Sequence, residues 1–136
     1  MKFSRDPLSP LTIQEVKPGL VRIGGDDYVS DIALTADGEV RDFAVQEIAS
    51  LQMEHLNPLL ESAPEMLIVG TGWDTAMPPR ELVFALARRG IGLEVMGTPA
   101  ACRTFNILVG EGRRPAAIIK IRQNSTQSSN ESAPMP

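Results

Sequence analysis

Glu65-Met-Leu-Ile-Val-Gly-Thr-Gly72, Arg80-Glu-Leu-Val-Phe-Ala-Leu-Ala-Arg-Arg-Gly90, Ile91-Gly-Leu-Glu-Val-Met96, Thr98-Pro-Ala-Ala-Cys-Arg-Thr-Phe-Asn-Ile-Leu-Val-Gly110 and Ala116-Ala-Ile-Ile-Lys-Ile121 decide the fold. The first is a strand-length apolar run that breaks at Gly70-Thr-Gly72, where the backbone must turn. After Pro78-Pro79, Leu82, Val83, Leu86 and Ala87 recur at helical spacing opposite Arg80, Glu81, Arg88 and Arg89, and Gly90 supplies a left-handed stop. Ile91 to Met96 returns as a strand. Thr98 then has the chemistry of a helix cap, Pro99 suits the first helical position, and Gly110 closes the helix after Val109. Ala116 to Ile121 completes the alternation.

Strands joined through helices of this length are not hairpin partners, so the expected core is an α/β sheet with parallel strands and right-handed crossovers. Ala100, Ala101, Cys102, Phe105, Ile107, Leu108 and Val109 cover most of the second helix's circumference, which predicts heavy burial. The N-terminal half reads differently. Leu20 to Ile23, Val29 to Thr35 and Val40 to Val45 are strand-like, separated by the turn-prone Gly24 to Asp27 and by Ala36 to Glu39. This half is expected to form an antiparallel β layer, with Leu11 to Gln14 as an edge strand. Ile48, Leu51, His55 and Leu59 predict one or two short helices between Glu47 and Glu61, limited by Pro58.

At 136 residues the chain is long enough for one core without disulfide or metal support. Residues 1–18 are expected to be an N-terminal segment with an edge strand, 19–122 a single α/β domain, and 123–136 a disordered polar tail. A net charge of −4 with scattered arginines argues against a nucleic-acid surface. One cysteine and one histidine supply no zinc cluster, and no motif indicates a cofactor. The first residues lack the apolar core of a secretory signal, and no run approaches a membrane span. A soluble, cytoplasmic protein with no membrane insertion is the expectation.

Gly90-Ile-Gly-Leu-Glu-Val-Met-Gly-Thr-Pro-Ala-Ala-Cys-Arg-Thr-Phe-Asn-Ile-Leu-Val-Gly-Glu-Gly-Arg113 resembles the signature of a small domain family of unknown biochemical function. Ser30-Asp-Ile-Ala-Leu-Thr35 and Leu67-Ile-Val-Gly-Thr-Gly72 extend the resemblance. The family's mitochondrial member is respiratory complex I assembly factor three, and it has bacterial and archaeal relatives. The resemblance implies three layers: a mixed central sheet, helices and a flanking β layer. Assistance in building a membrane respiratory complex is implied only for the mitochondrial branch, so the accessory reading of this chain rests on the resemblance together with the absence of a complete catalytic constellation. The familiar Met-Asp-Thr is Met96-Gly97-Thr98 in this chain, so a role needing that aspartate is not carried over.

The segments 70–77 and 96–99 each join the carboxyl end of a strand to a helix, the usual ligand position in α/β sheets. Backbone N–H groups at Thr71, Gly72 and Thr98 offer an anion or small-molecule site, with Arg103 as counter-charge. No Gly-x-Gly-x-x-Gly or Gly-Lys-Ser/Thr sequence accompanies them. Glu94 with Arg103 and Asn106 predicts either a pocket or a polar network fixing helix on sheet, with Glu111 and Arg113 extending it. Cys102, early in its helix and beside Arg103, is a candidate reactive thiol, although a buried cysteine is a small hydrophobe and the lone His55 is far along the chain. His55 itself reads as a helix boundary residue. Trp73 reads either as an exposed contact for a partner or as a loop tryptophan folded over its own core, and the face around Trp73 and Met96 to Thr98, or the outer β layer, is the candidate protein contact. The balance favours a non-enzymatic, assembly-factor-like protein-binding domain over an anion-binding protein or enzyme. An exposed edge of the β layer also leaves room for a homo-oligomer.

Overall fold

The computed structural model describes residues 13–44 and 47–122. The beginning of the 1–18 segment, the end of the Val40 to Val45 strand and the 123–136 tail lie outside them. Strands β1 (Ile13–Lys17), β2 (Leu20–Ile23) and β3 (Asp26–Tyr28) form a three-stranded antiparallel sheet. They are followed by β4 (Ile32–Thr35), β5 (Val40–Asp42), a 3-10 turn (Ile48–Ser50), α1 (Met53–Leu60), β6 (Met66–Gly70), α2 (Arg80–Arg88), β7 (Gly92–Met96), α3 (Thr98–Gly110) and β8 (Pro115–Ile119). The central sheet has five strands in the order β5-β4-β8-β6-β7. β8, β6 and β7 form its parallel block, while β4 and β5 add an antiparallel wing beside β8.

Chain direction decides where the helices go. From β6 the chain passes to β7 on one side, then returns across β6 to reach β8. With right-handed crossovers the two connecting helices must fall on opposite faces. Leu82 and Leu86 of α2 pack with Leu67 and Val69 on one face, joined by Leu56 and Leu59 of α1. On the other face Ala101, Cys102 and Phe105 of α3 pack with Ile68, Ile32 and Ile119, joined by Val21 and Ile23 of the small sheet. The layers are therefore α1/α2, the central sheet, and α3 beside the three-stranded sheet. All five residues of β8 are buried, as expected of a strand covered on both faces. Each large aliphatic side chain buried this way contributes about 1.5–3 kcal/mol.

Several expected boundaries move. The Gly24 to Asp27 turn is only Gly24-Gly25, because Asp26 and Asp27 already belong to β3. The Val29 to Thr35 strand begins at Ile32: Val29 is exposed, and the Asp31 carboxylate accepts the Ile121 N–H just beyond β8. α1 runs through Pro58, whose missing N–H falls in the last turn, and ends two residues later. Gly90 does stop α2, with a φ of 79°. The corresponding residue for α3 is Gly112, with a φ of 80°, and not Gly110, which is still helical. α3 is buried along one face only, since Arg103, Ile107 and Gly110 are exposed.

Candidate functional site

Because β6 and β7 are parallel and their connections diverge to opposite faces, the segments after them meet at one rim of the sheet, a topological switch point. Gly70 ends β6 where α3 begins. A Cβ there would lie 3.0 Å from the Ala101 Cβ and 3.1 Å from the Thr98 Oγ1, so only glycine lets the helix approach this closely. Thr98 is wholly buried, and its expected capping role is corrected: Gly97 is the N-cap, and no side chain caps α3. The Thr98 hydroxyl instead accepts the Gly72 N–H at 2.8 Å and donates to the Lys120 carbonyl at 2.6 Å. Its N–H donates to the Gly72 carbonyl at 2.9 Å. One threonine thus ties together the chain leaving β6, β7 and β8.

The same bonds bear on the expected anion site. Thr71 N–H donates to the Met96 carbonyl at 2.8 Å, so all three named N–H groups, Thr71, Gly72 and Thr98, have partners inside the protein. Pro99, the next residue of α3, has none to offer. What the rim does present is a depression of about 410 Å³ lined by 71–77, Val95, Met96, Gly97 and Pro99. Trp73 is 37% exposed and Met77 63% exposed at its wall. Asp74 is the one charged residue lining it, and its backbone carbonyl accepts the Thr71 hydroxyl at 2.9 Å.

The other expected residues are dispersed. Glu94 is exposed on β7, and among the described residues it makes no ion pair or hydrogen bond with Arg103 or Asn106. Arg103 lies on the outer face of α3. Asn106 faces the small sheet: its Oδ1 accepts the Ile13 N–H and its Nδ2 donates to the Ile13 carbonyl, both at 2.9 Å. It completes the end of β1 as a neighbouring strand would. Arg113 pairs with Glu65, at the opposite end of the sheet from Thr98. Cys102 is 2% exposed, and burial pushes its thiol up to about 12 against a smaller opposing pull from Arg103. The expectation of an activated thiolate is overturned, because desolvation outweighs the neighbouring charge. His55 is on α1, across the sheet from Cys102, and its Nδ1 accepts the Gln52 N–H at 2.9 Å, closing the helix N-terminus.

The rim also holds residues that the sequence reading passed over. Asp31 Oδ1 accepts the N–H groups of Ile121 and Arg122 at 2.7 and 3.0 Å, and its Oδ2 lies 3.4 Å from Lys120 Nζ. Both side chains are largely buried, at 13% and 18% exposure. The signal was present in part, as Lys120 is the charged residue in the otherwise apolar run Ala116 to Ile121.

Residues 13–120 match the family described as "Protein of unknown function (DUF498/DUF598)". The chain belongs to that family. A relative in Francisella tularensis subsp. holarctica, named 13 kDa major membrane protein, is 30% identical over 82% of this chain and 91% of its own length. The human NADH dehydrogenase [ubiquinone] 1 alpha subcomplex assembly factor 3 is 44% identical over 61 residues, which is 45% of this chain and 33% of that protein. The chain thus aligns with about a third of the human factor's length. A Bordetella pertussis protein solved by NMR and described as a Mth938-like domain has a TM-score of 0.73 and 28% identity, covering 95% of this chain and 98% of that one. The expected α/β three-layer fold and family are both found. Among the described residues, no helix is long and apolar enough to cross a membrane.

Proposed function

We propose that this member of the DUF498/DUF598 family is a non-enzymatic accessory domain that contacts a protein partner through the rim of 71–77 and 96–99. The observation carrying this reading is a contrast within one surface. The backbone donors of Thr71, Gly72 and Thr98 are paired internally, while Trp73 and Met77 stand exposed around an open depression. Tryptophan and methionine at a concave surface supply large apolar contact area, and both are enriched where proteins meet. The human relative is named as an assembly factor, which supports the same direction. The competing reading, an anion or small molecule held by helix N-termini with Arg103, is weakened because those donors are occupied and Arg103 lies on the outer face of α3.

The test is co-purification from the native cell at endogenous expression, comparing the wild type with Trp73→Ala/Met77→Ser and with the control Phe84→Ser, which alters an exposed apolar residue on α2. A stoichiometric protein retained by wild type and control, and lost by the double variant, is the expected result. Retention by all three forms, or no protein partner but a small molecule released on denaturation, contradicts it.

A further inference from the structure

The form of the bound partner is constrained by a free sheet edge that runs into the rim. β7 pairs with β6 on one side, and no described residue pairs with its other side. Since the Met96 carbonyl turns inward to Thr71, alternation along the strand turns the backbone groups of Leu93 and Val95 outward. They form a short template for another strand. Val95 and Met96 also line the rim depression, so a chain laid along β7 leads directly into it. Glu94, exposed at the centre of this edge, is in register with Ile68 and so shares the α3 face of the sheet.

Glu94 discriminates between occupants. In a two-fold antiparallel pairing, the register that overlaps all of Gly92–Met96 is centred on Glu94 and sets it directly opposite its own copy. That is a non-hydrogen-bonded position, where Cα atoms approach to about 4.5 Å and like charges repel. A basic residue at the same place is attracted. We propose that β7 receives an extended segment of a protein partner as an added strand, with lysine or arginine opposite Glu94 and an apolar side chain leading into the depression beside Trp73 and Met77. This rests on the rim being a protein contact and names the form the partner takes there.

Three end-blocked peptides of alternating threonine and valine, differing only in a central Lys, Ser or Glu, test it. Trp73 is the chain's sole tryptophan and reports occupancy of the rim, while amide exchange by NMR reports the edge. The Lys peptide should bind at least about three-fold tighter than the Glu peptide. It should also slow exchange at Leu93 and Val95. Glu94→Lys, at an exposed position without a bonded partner among the described residues, should remain folded and reverse the ranking. Equal affinities, absence of binding, or a Trp73 response without protection of Leu93 and Val95 overturns strand addition. The co-purification result separately decides whether the rim is a protein contact. Concentration-dependent protection of these two amides in the protein alone would identify a second copy as the occupant and likewise overturn the proposal.

Discussion

The Thr98 hydroxyl and the Gly72 N–H are joined by a 2.8 Å hydrogen bond, and the Thr98 N–H returns to the Gly72 carbonyl at 2.9 Å. Thr98→Val preserves the shape of the side chain but leaves the Gly72 N–H and the Lys120 carbonyl without this partner. Stranding buried polar groups costs about 1–3 kcal/mol each, so urea denaturation should show a loss of about 2–4 kcal/mol. Thr98→Ser keeps the hydroxyl and should lose less than half as much.

Gly70 and Gly92 make a matched pair on neighbouring strands. An added methyl at Gly70 meets the Ala101 Cβ at 3.0 Å and the Thr98 Cα at 3.2 Å, whereas at Gly92 nothing lies within 4 Å. Gly70→Ala should therefore destabilise by about 1–3 kcal/mol through overpacking. Gly92→Ala should change stability by less than about 0.5 kcal/mol. Thermal or chemical unfolding of the two variants checks the contrast.

Asn106 is expected to act as a structural clamp. Asn106→Leu removes both bonds to Ile13, so a cost of about 1–3 kcal/mol is expected together with faster amide exchange in β1. Exchange in β6 and β8, which pair with one another in the central sheet, should follow only the global change in stability.

Cys102 gives stability a dependence on alkaline pH. The unfolded thiol ionises near its ordinary value of 9.0, while the folded one is pushed up to about 12 by burial. The folded state then holds a proton that the unfolded state releases, so this stabilisation is complete below about pH 9 and is lost as pH rises towards 12. Unfolding free energies measured across that window should fall more steeply for wild type than for Cys102→Ala. At neutral pH a thiol reagent should modify nothing in the native protein and one group per chain in urea, since the sequence has one cysteine.

The parallel block was legible because its signals are local: apolar runs of strand length, amphipathic α2, and the glycine loop after β6. Gly90 and the shared rim follow from them. Other features depend on contacts between distant residues. Asn106 and Ile13 are 93 positions apart, and Asp31 and Ile121 are 90 apart. Helical spacing places Asn106 one turn from Arg103, but only the docking of the small sheet beside α3 decides which neighbour it meets. Thr98 shows the same limit, since its composition suits a cap and its partners arrive from β6 and β8. The exposed Trp73 was visible as a candidate contact, whereas the internal pairing of the surrounding N–H groups required the paired rim itself.

That this rim offers apolar contact while the N–H groups of Thr71, Gly72 and Thr98 are held inside the protein is decided by NMR exchange of those three amides with and without inorganic phosphate. Slow exchange at all three amides and no saturable phosphate-induced shift are expected. Rapid exchange at Gly72 and Thr98, with saturable shifts there on adding phosphate, would contradict it.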